Sequence, residues 1–276
     1  MIQPIFTSDN SICDSILTLS KDIFKKVTEI KGDKEVTRET TEVEIAKNTP
    51  VSIFAIAKFH GLDKVCIVDS SMTGFWEAYK VSKSLGLQLA FGLKVCVTQD
   101  LNKKDEDSLL TDSNVIIFCK NSQAYYDIIK IVSEANVSGF YYRPRIDWTT
   151  LNKFWTDNLI LCLPFYSSFL SKNLLHFRHS AVPILDKIKE PIFLREEHSL
   201  PFDSLLANGL DAYCKANSYE IMDTHTIYYY KDEDAIAYQS LKCIHNRSTL
   251  SKPNLGRFGS DKFSFEEYYR KIGKTL

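Results

Sequence analysis

The chain has 276 residues, 44% hydrophobic and 25% charged, enough to bury a large core as one α/β barrel or one doubly wound domain. Its 34 basic and 35 acidic residues give a formal net charge of -1, which excludes a general polyelectrolyte attraction to nucleic acid and leaves only local contacts. The 7 cysteines, at 13, 66, 96, 119, 162, 214 and 243, include no C-x-x-C pair, which argues for small buried thiols over a disulfide frame or a zinc site. No window approaches the ~20 apolar residues of a membrane span. The opening MIQPIFTSDNS lacks a basic segment followed by an apolar run. The expectation is a soluble, cytoplasmic protein without membrane contact.

Residues 2–6 predict a short strand, followed by the polar turn TSDNS, and Ile16, Leu19, Ile23 and Phe24 predict a helix over 15–27. Residues 29–48, EIKGDKEVTRETTEVEIAKN, read as a charged, threonine-rich insertion or hairpin. Pro50 then introduces VSIFAIAKFHGL, an amphipathic helix ended by Gly61. The stretch from Lys64 to Thr98 is the most strongly patterned. VCIVD is a strand buried on both faces and ending in an acid, Phe75, Tyr79, Ser82 and Leu85 or Trp76, Tyr79, Val81 and Leu85 recur at helical spacing until Gly86, and LQLAFGLKVCV is a second strand. Such a strand-helix-strand unit places its strands parallel, and an acid at a strand's carboxyl end sits where parallel α/β folds do their chemistry.

Beyond it, residues 99–113 form a polar loop, NVIIFCK a strand, and residues 123–136 a helix with Tyr126, Ile129, Ile131 and Val132 inward. GFYYRPRIDW reads as extended and partly solvated, residues 149–156 as a helix, and NLILCLPF and PIFLRE as strands. Residues 202–216 form a helix, YEIM a strand, and residues 232–245 a helix with Ala235, Tyr238, Leu241 and Ile244 on one face; the tail is turn-rich, then helical. The alternation of strands and helices argues for a parallel α/β barrel.

Four stretches in order carry a resemblance. VDSSMTGFWEAYKVSKSLGLQLAFGLKV resembles T-D-H-G-N-x-x-G-x-x-E-F-Y-x-x-A-x-x-x-G-I-x-P-I-x-G-x-E, and NVIIFCKNSQAYYDIIKIVSEA resembles H-L-x-L-L-A-K-N-x-x-G-Y-x-N-L-x-x-L-x-S. YYRPRIDWTTLNKFWTDNLILCL is similar to a K-P-R-I-D segment running to G-L-I-x-L, and DEDAIAYQSLKCIHNRSTLSKPN to E-D-A-x-A-H-x-x-L-x-C-I. These are segments of the PHP (polymerase and histidinol phosphatase) domain that opens bacterial DNA polymerase III alpha subunits. The resemblance implies an α/β fold of the distorted TIM-like (β/α)7 barrel type. It places a PHP-like domain over residues 1–250 and a tail over 251–276 leading toward a polymerase body.

Active PHP domains bind a cluster of metal ions that acidify a water and neutralise a phosphate, so their ligands cannot be apolar or cationic. Carried over position by position, the family's two first histidines fall on Ile5 and Thr7, its aspartate is kept as Asp69, and the neighbouring histidine becomes Ser70. Its glutamate falls on Lys94, the next histidine on Asn114, the small residue of an S-G-C motif on Phe165, and the last aspartate and histidine on Thr226 and Tyr228. The site is thereby vestigial, with no cofactor expected; a divalent ion at relocated ligands, Asp69 with Asp223 and His225, is the alternative. An ion pair of Lys94 with Asp69 would replace the metal charge. His60, His176, His179, His198, His225 and His245 read as surface or capping residues, Tyr228 to Tyr230 as strand packing rather than a base-stacking platform, and RPR at 143–145 as solvated.

The implied function is a non-catalytic structural or assembly module of DNA replication, a polymerase III alpha-like PHP domain without the palm. Its partners would be a polymerase body or other replication subunits, including a proofreading exonuclease, with DNA met indirectly, in a bacterial or phage-infected cytoplasm. The alternatives are a divergent metal-dependent phosphoesterase or 3′ to 5′ exonuclease, and a stand-alone protein-binding barrel.

Overall fold

The computed structural model describes residues 2–20, 25–31, 34–40, 52–176, 180, 182–185, 187–251 and 259–276. The strands are β1 (Gln3–Phe6), β2 (Lys25–Lys31), β3 (Lys34–Thr40), β4 (Lys64–Asp69), β5 (Gln88–Thr98), β6 (Ser113–Cys119), β7 (Arg145–Asp147), β8 (Leu159–Leu163), β9 (Ile192–Arg195) and β10 (Glu220–Ile227). The main sheet has the hydrogen-bonded order β4-β1-β10-β9-β8-β6-β5-β7 with a further β4–β5 pairing, the strand ring of an α/β barrel. The β1–β4, β8–β9, β9–β10 and β5–β7 pairs are parallel, but β6 runs antiparallel to both β5 and β8. The expected all-parallel sheet is therefore corrected. Only a short helix, α3 (Glu106–Thr111), lies between β5 and β6, within the stretch expected to be loop; its 6 residues rise about 9 Å and do not carry the chain back along the 11 residues of β5, as a parallel crossover helix does.

The chain divides into two compact units, one of residues 1–3 and 91–225, the other of residues 4–90 and 226–276. In the first, β6, β8 and β9 bury Val115, Ile117, Leu161, Leu163 and Phe193. Helix α4 (Ser122–Val137) starts where the Asn121 side chain accepts from Ala124 N. It buries Ala124, Asp127, Ile128, Ile131 and Ala135, while Tyr126 and Ile129 face solvent, opposite to the expectation. The inward phase is fixed by the small alanines and by Asp127, whose carboxylate accepts from Thr156 Oγ1 at 2.8 Å. That bond holds the Asp127 carboxyl below its usual range. Helices α5 (Trp148–Phe154), α6 (Phe169–His176) and α7 (Asp203–Asn217) complete the unit.

Arg145 overturns the reading of RPR as solvated, because it is fully buried. Its guanidinium donates to Gly139 O at 3.3 Å, Ser108 Oγ at 3.0 Å and Lys103 O at 3.1 Å, with Asp112 Oδ1 at 4.0 Å and the Tyr141 ring below it at 5.1 Å. Arg143 pairs with Asp112 Oδ2 at 3.1 Å. A Cβ on Gly139 would stand 1.8 Å from the Arg145 carbonyl oxygen, so the close approach of the two backbones requires glycine there.

In the second unit, helix α1 (Ile53–Phe59) is buried from Ile53 to Ala57 and is not amphipathic as expected. Helix α2 (Phe75–Leu85) ends at Gly86 in the left-handed conformation, as expected, but turns Ala78, Val81 and Ser82 inward and leaves Trp76 and Tyr79 exposed. The helix expected over 15–27 does not form at its described residues, 15–20 and 25–27; Ile23 and Phe24 lie outside the described residues. Leu17 and Leu19 are buried in alternation, the backbones of Ile16 and Thr18 bond Tyr228 O and Ile53 N, and Lys25–Lys31 is strand. β2 and β3 form the antiparallel hairpin that was one reading of the charged segment; Pro50 and residues 41–48 lie outside the described residues. Helix α8 (Ala235–His245) buries Ala235, Tyr238 and Cys243 and exposes Ile244. The described end of the tail joins this unit: Phe263 and Phe265 are fully buried and α9 (Phe265–Lys271) is capped by Ser264.

His60 caps α1 with its N–H on Ile56 O and lies among Phe59, Tyr230, Phe265 and Tyr269, its Nε2 3.0 Å from Tyr230 Oη. Burial, with the Lys274 ammonium second, pulls its pKa down to about 4 from 6.5. The cysteines described are free thiols, four buried and three half-buried.

Two expectations follow from these packing sites. Arg145→Met should destabilise the chain in urea unfolding by about 3–5 kcal/mol, because Gly139 O, Ser108 Oγ and Lys103 O lose a buried charged donor and Asp112 keeps only Arg143, and Arg145→Lys should recover only part, since an ammonium lacks the planar fork. Between pH 6.5 and 4 the unfolded chain protonates His60 while the folded chain does not. Its contribution is thus complete above pH 6.5 and declines as pH falls to 4, and His60→Gln should flatten that part of the pH dependence of the urea midpoint relative to wild type.

Candidate functional site

β4 carries Val65, Cys66, Ile67 and Val68, all buried, and delivers Asp69 at its carboxyl end with its side chain fully out of water. Burial in this strand pushes the Cys66 thiol up to about 12. A buried carboxylate needs donors or a cation. Asp69 Oδ1 accepts from Ser8 N at 2.9 Å and Ser11 Oγ at 2.9 Å, and Oδ2 accepts from Ser8 Oγ at 2.7 Å. The hydroxyls are satisfied in turn. Ser8 Oγ accepts from Asn10 N at 3.2 Å, and Ser11 Oγ from Ser70 N at 2.8 Å. The TSDNS turn after β1 is thus wrapped around the end of β4. A Cβ on Gly74 would meet Asn10 Nδ2 at 2.7 Å and Leu19 Cδ1 at 2.8 Å, so glycine permits this loop to close.

The other positions in this unit that the resemblance singled out lie among packed residues. Ile5 and Thr7 are buried, and Thr7 N donates to Ile227 O at 3.2 Å. Thr226 is half-buried. Tyr228 stacks on Tyr238 at 4.9 Å with 6° between planes, and its carbonyl accepts from Ser15 Oγ at 2.9 Å. Tyr229 and Tyr230 are buried beside it.

In the first unit, Lys94 is half-buried on β5 opposite Ile116 and Asn114 stands on β6 opposite Cys96, its N–H on Ser167 O at 2.8 Å. Phe165 is buried edge-on to Tyr166 at 4.9 Å. Nearby is a polar cluster that the sequence reading did not find. Asp203 Oδ2 accepts from His198 N and Leu200 N, each at 2.9 Å, and its Oδ1 from Tyr166 Oη at 2.9 Å. His198 Nε2 shares a hydrogen bond of 2.7 Å with Glu196 Oε2, and its ring lies 4.5 Å from that of His225. His198 and His225 are fully buried, which corrects their reading as surface residues. The signal was in the spacing of EEHSLPFD, where an aspartate five residues after the histidine can cap the turn between them.

Of the alternative metal trio, Asp223 is half-exposed and accepts from Arg195 Nε at 2.7 Å, while His225 stacks on His198; Asp69 belongs to the other unit. The described residues contain no group of three or more His, Cys, Asp or Glu arranged to hold a metal ion. His245 is exposed at the end of α8, the side chain of His176 and the whole of His179 are outside the described set, and no described helix is long and apolar enough to cross a membrane.

If Asp69 is an anchor for the first turn, Asp69→Ala should lower stability by about 2–4 kcal/mol, because two hydroxyls and an amide lose a charged acceptor. Ser8→Ala or Ser11→Ala should cost about 1–2 kcal/mol each. Thermal or urea unfolding reads these differences, and an unchanged midpoint for Asp69→Ala would rule the anchor out.

The chain is similar to DNA polymerase III subunit alpha of Borreliella burgdorferi, 24% identical over 220 residues, which is 76% of this chain and 19% of that protein. It is also similar to the corresponding subunits of Aquifex aeolicus, 23% identical over 73% of this chain and 18% of that protein, and Thermus aquaticus, 23% identical over 70% and 16%. It thus spans less than a fifth of the length of these curated relatives. The PHP domain pattern matches residues 43–192, more than half of the sequence, and the chain belongs to the PHP domain family.

Proposed function

We propose that this chain is a non-catalytic PHP domain serving as a structural or assembly module of a DNA replication machine. The observation that carries the reading is the state of Asp69. The one acid retained from the resemblance has both oxygens engaged by Ser8 and Ser11, with donors where a metal ion would need lone pairs. Its former neighbours are Ile5, Thr7 and Ser70, none a histidine or carboxylate. The donor set in this unit does not fit a PHP metal cluster, so no reaction step is assigned to one. Likeness to polymerase III alpha subunits over most of this chain supports a place beside other replication subunits, a polymerase body or a proofreading exonuclease, with DNA handled mainly by them. A cytoplasmic setting in a bacterial or phage-infected cell accords with those relatives.

Metal analysis of the purified chain, joined to a phosphodiesterase assay with added manganese, tests the non-catalytic half of the reading. Wild type is expected to carry substoichiometric metal and no activity above Asp69→Ala. Stoichiometric zinc or manganese, lost together with activity in Asp69→Ala, would overturn it. Affinity purification from the native source tests the other half and is expected to recover replication subunits; recovery of the chain with none of them would count against assembly.

A further inference from the structure

Helix α2 presents a face that the fold does not use. Trp76, Tyr79, Lys80 and Lys83 fall at i, i+3, i+4 and i+7, one stripe of the helix, and all four are exposed. Large aromatics are costly to leave in water, yet Trp76 is 62% exposed while Ala78, Val81 and Ser82 supply the inward packing. The two rings stack on each other, 5.9 Å between centroids and 23° between planes. Lys80 Nζ lies 5.7 Å from the Trp76 ring and Lys83 Nζ 5.9 Å from the Tyr79 ring. Neither ammonium is in an ion pair among the described residues, and Glu77, the acid of this helix, is turned aside to accept from Ser20 Oγ. Two flat apolar surfaces therefore stand beside two cations, without an acid in the stripe.

The geometry points to a binding strip for single-stranded nucleic acid on α2, with Trp76 and Tyr79 stacking bases and Lys80 and Lys83 meeting the adjoining phosphates. Bases offer π faces to aromatic rings whatever their sequence, and the backbone brings the negative charge that the lysines lack. A duplex hides those faces within its stack, so a single strand is the form recognised. The overall charge of -1 makes the contact local and salt-sensitive, and this strip is independent of the Asp69 region and of the assembly role proposed above.

Trp148 and Trp155 are buried, 2% and 8% exposed, so quenching of tryptophan fluorescence by a stacked base reports on Trp76. Titration of the full chain with an oligothymidylate at low salt should quench the emission. Trp76→Ala should abolish the quench and weaken binding, read by anisotropy of labelled oligonucleotide, roughly tenfold or more. The Lys80→Gln/Lys83→Gln double variant should flatten the dependence of log affinity on log salt by about 1.4, two phosphate contacts to a single strand. All these positions are exposed, and circular dichroism checks that the variants fold. Absence of oligonucleotide binding, binding unaffected by Trp76→Ala, or equal binding of duplex or of polyglutamate would each overturn the proposal, the last assigning the strip to an acidic protein.

Discussion

A carboxylate taken fully out of water has to be met by protons or by a cation, and in this chain that demand falls on Asp69. Three donors from the first turn meet it, and the turn is held in place by doing so. The position at the carboxyl end of a barrel strand is where related folds gather catalytic groups. Here the same position closes a loop. At Asp69 two serine hydroxyls, an amide and a carboxylate are hydrogen-bonded together, which fixes the backbone geometry of the first turn.

The first unit solves a similar problem with the opposite charge. Arg145 is buried with three carbonyl or hydroxyl acceptors and Asp112 nearby, and its surroundings are drawn from segments 103–112 and 139–143. An arginine can be accommodated this way because its planar fork addresses several acceptors at once. Asp203 plays the complementary part at the turn preceding α7, collecting the amides of His198 and Leu200 together with Tyr166. Both units therefore use single ionised side chains to organise irregular backbone that no regular ladder could satisfy.

Much of the fold was legible from local pattern. The strand of VCIVD, the stop at Gly86, the strands at 113–119, 159–163 and 192–195 and the helix before Ser218 follow from apolar runs and their punctuation. The faces of α2 and α4 were not, because both helices turn small residues inward and a rule that sends aromatics to the core misphases them. The failure over residues 15–20 has another cause. Leu17 and Leu19 have strand-like alternation, but their backbone partners lie at Asp9 and Phe54, and that of Ile16 at Tyr228, and pairing over such separations leaves no local signature. The site was read in the same mixed way. That Ile5 and Lys94 stand where the resemblance would put ligands is visible in the letters, whereas the serines that tie down Asp69, and the burial of Arg145, His198 and His225, depend on the tertiary fold.

The unit holding Asp69 is assembled from residues 4–90 and 226–276, and Ser15, for example, bonds the carbonyl of Tyr228. On a ribosome, the first of these segments emerges long before the second. At usual elongation rates the interval is about ten to thirty seconds, during which α1 and β4 have been made but the segment around Tyr228 and Phe265 has not. Residues 91–225, nearly the whole of the other unit, are completed first. The unit whose long first segment emerges earlier, residues 4–90, is thus the one completed last, and its apolar α1 spends that interval without its C-terminal covering.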